Sequence, residues 1–154
     1  MGAGPLLVVP TGPSGAGKDT LLAHLKSLGR PYYVSVNATT RDRRPGEADG
    51  VDYYFVSNEE FQRMLDEGEL LEHALVYGQH KGVPKAPVRE ALASGRDVLM
   101  RTDIQGARTI KRLIPGAITI FVAPPSDEEL RRRVQERGGD SDDQVKLRQE
   151  TAVR

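Results

Sequence analysis

The sequence contains neither cysteine nor tryptophan among its 154 residues. Without cysteine it can form no disulfide framework and no thiolate metal site, which favours a reducing compartment. No hydrophobic run reaches the length of a membrane span, and the N-terminus lacks the charged start and cleavage pattern of a signal peptide. We therefore expect a soluble cytoplasmic protein that has no membrane partner.

The sequence also lacks an excess of charge, because its 22 basic and 22 acidic residues cancel. The net charge therefore indicates no polyanionic partner, and we expect that the protein does not bind nucleic acid. Any attraction for phosphate must come from local clusters of basic residues. The length corresponds to one domain, and the sequence predicts no oligomeric state.

What the sequence does contain is a glycine-rich loop between an apolar run at 6–11 and a helical pattern at 18–28. Glycines allow backbone amides to approach an anion closely, and a lysine brings positive charge to the outer phosphates of a nucleotide. The order of strand, loop and helix predicts a phosphate-binding loop. Its residues are Gly12, Pro13, Ser14, Gly15, Ala16, Gly17 and Lys18.

Asp19 follows the lysine, where such loops usually carry a serine or threonine whose hydroxyl binds magnesium. A carboxylate is itself a hard oxygen ligand, and Thr20 could supply the hydroxyl one position later. Asp19 and Thr20 are therefore the candidate magnesium ligands. Asp19 also places a negative charge close to the polyphosphate.

Apolar and helical patterns alternate on both sides of an irregular middle segment, which predicts a parallel sheet covered by helices. The expected buried strands are 6–11, 97–100 and 117–123, and the expected helices are 18–28, 103–114 and 126–137. Residues 37–82 are polar and rich in turns, with capping-box spacing at 57–60 and a strand-like run at 70–77. They predict a small inserted α+β lobe, and the charged residues 138–154 predict a mobile hairpin or lid.

Several further motifs resemble guanylate kinase in order and spacing, from the glycine loop to about residue 148. They are Thr39-Thr40-Arg41, Arg44-Pro45-Gly46-Glu47, Gly50-Val51-Asp52-Tyr53, Phe55-Val56-Ser57, Glu60-Phe61, Leu71-Glu72, Asp103-Ile104-Gln105-Gly106-Ala107 and Pro124-Pro125-Ser126. The resemblance implies phosphoryl transfer from ATP to GMP with magnesium as the cofactor, and hence ATP and GMP as small-molecule partners.

The resemblance also implies an α/β fold of the P-loop NTPase type, with a three-layer core around a parallel sheet. The core would comprise 1–36 and 93–125, the inserted nucleoside-monophosphate lobe 37–92, and a helical lid 126–154. Members of the family normally continue with a further strand and helix, which have no counterpart in these 154 residues. We expect this chain by itself to bind a monophosphate and to be a weak or inactive kinase.

Carried over position by position, the resemblance assigns residues to each nucleotide. Residues 12–20 would bind ATP, with Lys18 on its phosphates. The acceptor phosphate would be held by Arg41, Arg44 and Tyr53. The N1 and N2 hydrogens of guanine need hydrogen-bond acceptors, and the resemblance implies that the carboxylates of Glu72 and Asp103 accept them.

The same resemblance implies an arginine-bearing lid that closes on the transferred group. Its residues would be Arg133, Arg137 and Arg148. With Lys18 and Arg41 from the core and lobe, Arg137 and Arg148 complete the candidate catalytic set. Several arginines and a lysine are typical of a phosphoryl-transfer site, because the reaction depends on positioning the phosphates and neutralising their charge.

Four site positions depart from the family's pattern. Asn37 could still donate to a base oxygen through its amide, and Lys81 could bind phosphate as a charge. Val83 cannot hydrogen-bond, which predicts a looser choice of guanine. Arg101 stands where the family commonly has an acidic residue, and Asp19 could restore that negative charge from across the site.

Two alternatives remain open on the sequence. Gly17-Lys18-Asp19 also resembles the loop of ribose 1,5-bisphosphate kinases, although Glu72 and the segment 39–53 look built for a nucleotide. The other alternative is a catalytically dead guanylate-kinase-like binding module. Such modules lose the loop lysine and the lid arginines, which this sequence keeps at Lys18, Arg137 and Arg148.

Overall fold

The computed structural model of the chain describes residues 2–136. The expected mobile segment 138–154, together with Arg137 and Arg148, lies outside them. In chain order the elements are β1 (Leu7–Thr11), α1 (Lys18–Ser27), β2 (Tyr33–Val34), β3 (Asn37–Thr39), β4 (Tyr53–Phe55), α2 (Asn58–Asp66), β5 (Leu70–Val76), β6 (Gln79–Pro84), α3 (Lys85–Ala93), β7 (Val98–Leu99), α4 (Ile104–Leu113), β8 (Ile118–Phe121) and α5 (Asp127–Glu136).

Four of these strands form a parallel sheet in the order β2-β7-β1-β8. β1 lies between its two partners, with Leu7 opposite Val98 on β7 and Val8 opposite Ile118 on β8. The carboxyl ends of β1 and β7 are therefore neighbours. This pairing brings the glycine loop after β1 beside residues 101–103 after β7, at the edge where parallel α/β sheets bind ligands.

The core of this sheet is a cluster of fully buried apolar side chains. Val9 and Val98 come from the sheet, Met100 follows β7, and Ile110 comes from α4. The cluster also includes Val83 of β6 and Val88 and Ala91 of α3. By its packing α3 therefore joins the parallel core, and the division at 37–92 stays a prediction.

The other four strands form a second sheet in the order β4-β3-β6-β5. Its two antiparallel strands β5 and β6 meet at a tight turn in which Tyr77 and Gly78 both have positive φ, 53° and 76°. α2 covers this sheet with Phe61 and Met64, which pack against Ala38 and Leu70. The inserted α+β lobe expected from the sequence is thus present.

Three helices begin with a side-chain cap, one of them at the capping-box spacing 57–60 that the sequence predicts. The Ser57 hydroxyl accepts a hydrogen bond from the Glu60 amide, and the Ser126 hydroxyl accepts one from the Glu129 amide. Asp103 caps α4 by accepting from the Gly106 amide. Each cap satisfies an amide that the first turn of a helix leaves without a backbone partner.

One expectation about the sheet is wrong. Residues 117–123 were expected to form a buried strand, but β8 is the exposed edge of the parallel sheet. Ile118, Ile120 and Phe121 are 42%, 46% and 61% exposed. An apolar, β-branched run is typical of a strand buried on both faces, and it does not distinguish a central strand from an edge strand.

Within residues 2–136 no helix is both long and apolar enough to cross a membrane.

Candidate functional site

A cleft of about 620 Å³ lies between the carboxyl edge of the parallel sheet and the inserted lobe. Cations outnumber acids along its walls, so the cleft is suited to an anion although the whole chain is neutral. The basic side chains are Lys18, Lys26, Arg41, Arg44, Lys81 and Arg101. The acidic ones are Asp19, Glu47, Asp52 and Asp103.

The glycine loop forms one wall of the cleft and needs its glycines for close packing. A Cβ at Gly12 would overlap the backbone carbonyl of Val122. Gly15 has φ +87°, and a Cβ there would lie 3.0 Å from Val134 Cγ2 of α5. The loop therefore packs closely against Val122, just after β8, and against Val134 of α5.

Lys18 lies at the start of α1 and crosses from the loop to the end of β7. Its Nζ donates to the Thr102 carbonyl oxygen at 3.0 Å. This contact holds the ammonium group at the junction of the two strand ends, within the cleft. The charge of Lys18 therefore lies beside the glycine loop, at the edge where parallel α/β sheets bind ligands.

Asp19 and Arg101 face each other across the same junction. Asp19 Oδ1 lies 3.7 Å from Arg101 Nη1, and the two side chains are 43% and 16% exposed. The negative charge of Asp19 is thus partly compensated by the arginine that departs from the family's pattern. Both residues line the cleft.

On the opposite wall Arg41 is held by Glu47. Its Nη1 and Nη2 donate to Glu47 Oε2 and Oε1 at 3.0 and 2.8 Å, and the Arg44 amide donates to Oε2 at 2.8 Å. Burial alone would raise the pKa of Glu47, but the hydrogen bonds from Arg41 and the Arg44 amide lower it. One carboxylate therefore positions both arginines expected at the acceptor phosphate.

Two guanidinium groups lie near the ring of Tyr53. The ring centroid is 4.1 Å from Arg101 Cζ and 5.3 Å from Arg41 Cζ. Burial raises the pKa of the phenol, so the hydroxyl stays protonated near neutral pH and can donate to a phosphate. The stack brings residues from three separate parts of the chain together at the acceptor side.

Glu72 is buried behind the cleft wall, with only 6% of the residue exposed. Its Oε1 accepts from the Thr102 hydroxyl at 3.4 Å, and its Oε2 is buried without a hydrogen-bond partner. Burial, and secondly the charge of Asp103, raise the pKa of Glu72 to about 7. A buried acceptor without a partner is consistent with a site for hydrogen-bond donors of a ligand.

The three lobe positions that depart from the family's pattern differ in their surroundings. Lys81 lines the cleft. The Asn37 amide nitrogen donates to the Arg101 carbonyl oxygen, and Asn37 Oδ1 accepts from the Ser35 hydroxyl at 3.0 Å. Val83 is fully buried in the apolar core, where a hydrogen-bonding side chain is not needed.

α5 is the described part of the predicted lid, and it lies against the glycine loop. Arg133 Nη1 is 3.4 Å from the carbonyl oxygens of both Gly15 and Ala16. A smaller pocket beside the loop is lined by Gly15, Gly17, Thr20 and Arg133. Arg133 Nε also donates to Glu129 Oε1 at 2.7 Å, and the neighbouring Arg132 pairs with Glu129 and Glu136 on the surface.

The structure thus brings most of the predicted site residues to one cleft. Those that line it are Gly12, Pro13, Ser14, Gly15, Lys18, Asp19, Thr20, Asn37, Arg41, Arg44, Tyr53, Lys81 and Asp103. Glu72 lies behind the wall, Arg133 lines the smaller pocket, and Arg137 and Arg148 fall outside the described residues.

Sequence reasoning assigned no role to Glu47 or Thr102, although both position site residues. Glu47 belongs to a motif that carries the resemblance. It is six positions away from Arg41 in the sequence, and that separation does not by itself indicate a contact. Thr102 contacts Lys18 and Glu72 only because β7 lies beside β1.

The side chains at the start of α1 fit a magnesium ion that is bound chiefly by phosphates. Magnesium usually takes one or two protein oxygens and completes its shell with phosphates and water. Asp19 offers a half-exposed carboxylate and Thr20 a hydroxyl beside the loop. Among residues 2–136 no group of three or more metal-ligating side chains occurs.

Comparison with known proteins gives one consistent family. The family model described as guanylate kinase matches residues 5–154. The guanylate kinase of Corynebacterium efficiens is 51% identical over 148 residues, covering 95% of this chain and 78% of that protein. The guanylate kinase of Clostridioides difficile is 46% identical and covers 93% of this chain and 70% of that protein. The crystal structure of guanylate kinase from Anaplasma phagocytophilum aligns with TM-score 0.76 at 34% identity, covering 96% of this chain and 70% of that one.

Proposed function

The chain belongs to the guanylate kinase family, and we propose that ATP and GMP bind side by side in the cleft just described. The enzyme phosphorylates GMP with ATP, giving GDP and ADP, a step of purine nucleotide metabolism. The observation that carries the proposal is one continuous cleft, with the glycine loop and Lys18 on one wall and Arg41, Arg44 and Tyr53 on the other.

In this reaction a phosphate oxygen of GMP attacks the γ-phosphorus of ATP. The new bond from oxygen to phosphorus forms as the bond from the γ-phosphorus to the bridging oxygen breaks, and that electron pair leaves on ADP. The attacking oxygen carries no proton at neutral pH, so no general base is required. The protein's contribution is alignment of the two phosphates and compensation of their charge.

Lys18 is the residue proposed to act on the transferred group from the ATP side. Its ammonium lies at the ends of β1 and β7 and within reach of the loop. Arg133 contacts the loop carbonyls from α5 and would face the phosphates from outside. Arg137 and Arg148 keep the lid roles that the sequence predicts for them.

Asp19 and Thr20 are the residues proposed to hold magnesium with the ATP phosphates. When bound, magnesium neutralises phosphate charge and orients the polyphosphate. Asp19 would supply a hard carboxylate oxygen, and the phosphates would supply further ligands.

Guanine is the base proposed for the acceptor. Its N1 and N2 hydrogens need acceptors, and Glu72 Oε2 is a buried acceptor without a partner. Asp103 lines the cleft beside it, but one of its oxygens already caps α4. Glu72 is therefore the main determinant of the base, with Asp103 as a second acceptor.

A coupled assay of ADP release tests this function with ATP, magnesium and each nucleoside monophosphate in turn. GMP should be the preferred acceptor, and Lys18→Met should lower kcat by at least 100-fold without changing the melting temperature. Lys85→Met is the matched control, because it removes a lysine at the start of α3 that does not line the cleft. Lys18→Met activity within a few-fold of the unmodified chain would contradict the proposed role of the loop, and a faster reaction with AMP would contradict guanine as the base.

A further inference from the structure

Arg101 is a cleft residue to which the reaction just proposed assigns no role. It directly follows Met100, whose amide bonds to the sheet, and its own amide donates to the Ser35 hydroxyl at 2.9 Å. Its guanidinium lies over the Tyr53 ring, and its Nη2 donates to the Asp52 carbonyl oxygen. The side chain is therefore held in the space between the parallel core and the lobe.

The guanidinium retains hydrogen-bonding capacity in this position. Of its donors, Nη2 bonds to the Asp52 carbonyl and Nη1 lies 3.7 Å from Asp19. Its Nε is buried and has no hydrogen-bond partner. An arginine offers its donors in a planar fork that matches two oxygens of a phosphate.

We propose that Arg101 is an additional phosphate-binding residue of this chain, which contacts the phosphate of the bound monophosphate beside Tyr53. This inference rests on the proposed function, since it takes GMP as the occupant of the acceptor side. The choice of the acceptor phosphate follows from the stack, because the Arg41 guanidinium also lies over the Tyr53 ring, with Cζ 5.3 Å from its centroid. Arg101, Tyr53 and Arg41 then form one basic surface against a single anion.

Asp19 holds the Arg101 side chain while the acceptor site is empty. Asp19 Oδ1 is buried, but at 3.7 Å from Arg101 Nη1 it makes no hydrogen bond to the guanidinium, so this is a contact that a doubly charged phosphate can replace. Asp19 also repels an incoming phosphate on the acceptor side. When Arg101 turns to the phosphate, the Asp19 carboxylate loses this contact.

The test is calorimetric titration with GMP and with guanosine, in the absence of ATP and magnesium. Arg101→Met should weaken GMP binding by about 10-fold to 100-fold, because it removes charge-assisted hydrogen bonds to the phosphate. Guanosine, which has no phosphate, should bind the variant within about 2-fold of the unmodified chain. Arg101→Lys should restore part of the GMP affinity, since it keeps the charge but loses the fork and the stack.

Arg96→Met is the matched control. Arg96 also lies over a tyrosine ring, 5.9 Å from the centroid of Tyr33, and donates to two backbone carbonyls, but it does not line the cleft. GMP affinity should be unchanged in this variant. Asp19→Asn should raise GMP affinity by about 2-fold to 5-fold, because it removes both the competing pair and the repulsion.

GMP affinity of Arg101→Met within 2-fold of the unmodified chain would overturn the inference. An equal loss of guanosine affinity would overturn it as well, because the arginine would then only support Tyr53. A fall in GMP affinity in Asp19→Asn would contradict the holding role of Asp19. If the unmodified chain does not bind GMP, the proposed function fails together with the inference. If the Arg101→Met variant phosphorylates GMP as well as the unmodified chain does, the inference alone fails.

Discussion

Glu72 combines burial, an unsatisfied oxygen and a pKa raised to about 7. In the free protein a large share of these carboxyl groups is therefore protonated at neutral pH. Guanine donors hydrogen-bond best to the ionised carboxylate, so GMP binding should lower the pKa of Glu72. Below pH 7 the protein must then release a proton from Glu72 in order to bind GMP.

We predict that GMP affinity rises with pH between about 5.5 and 7.5, and that binding near pH 6 releases a proton from the protein. Titration calorimetry in buffers of different ionisation enthalpy measures this proton. The phosphate of GMP also titrates near pH 6, so Glu72→Gln serves as the control that keeps the phosphate contribution and loses the carboxyl one. Identical proton release by the two proteins would contradict the assignment of Glu72 to the base.

Glu47 acts on GMP only through the residues that it positions. We predict that Glu47→Gln raises the KM for GMP by about 10-fold with little change in the KM for ATP, because the fork to Arg41 loses its charge. Glu60→Gln is the matched control, since Glu60 also forms a forked pair with an arginine, Arg63, but on the exposed surface of α2. A parallel rise of both KM values would indicate general disturbance of the fold.

At the scale of elements, the start of α4 joins the helix cap to the base site. A Cβ at Gly106 would overlap the Thr102 hydroxyl and would lie 2.8 Å from Glu72 Oε1. Since Gly106 also supplies the amide that Asp103 caps, a side chain there would move α4 away from β5. The glycine in the motif 103–107 is thus required by packing.

We predict that Gly106→Ala lowers the free energy of unfolding by about 1 to 3 kcal/mol and weakens GMP binding, because Glu72 must shift. Gly116→Ala is the control, with nothing within 4 Å of its added Cβ, and its stability should change by less than about 0.5 kcal/mol. Denaturant unfolding and GMP titration on both variants measure these effects. Unchanged stability of Gly106→Ala would mean that α4 adjusts freely.

The elements that could be predicted from the sequence are those that contain a periodic pattern of apolar residues or a helix-capping residue. β1, α1, α4 and α5 carry such local patterns, and their observed bounds differ by a residue or two from the expected ones, while α2 begins directly after the predicted capping Ser57. β6 was not predicted, because its residues Gln79–Pro84 show no alternation of apolar and polar side chains. Its strand conformation depends on pairing with β5 and β3. β2 has only two residues and is defined by its pairing with β7.

The site was predictable to the extent that each residue belongs to a contiguous motif. Lys18, Arg41 and Tyr53 could be found in this way and lie together in the cleft. The stack of Arg101 on Tyr53 could not, because 48 positions of sequence separate the two residues and no local pattern connects them. Long-range contacts of this kind depend on the register of β7 against β1 and on how the lobe is placed.

At the scale of the whole molecule, the neutral net charge conceals two kinds of surface. Basic side chains gather in the cleft, whereas acids and bases pair with each other on the exposed faces of α2 and α5. β8 adds a third surface, an apolar strand at the open edge of the parallel sheet in the described part of the chain. Open strand edges with exposed apolar side chains favour association between copies.

We predict that the 154-residue chain associates reversibly as its concentration rises, and that Ile118→Lys reduces this association. A lysine on an edge strand opposes pairing between edges through its charge and hydration. Ile118 is 42% exposed and lies opposite Val8, at the end of β8 away from the glycine loop, so GMP binding should be unaffected. Leu28→Lys, at a position that is 51% exposed at the end of α1, should leave association unchanged. Sedimentation velocity over a 100-fold range of concentration measures the effect. A sedimentation coefficient of the unmodified chain that stays constant over that range would show that β8 is covered or does not pair.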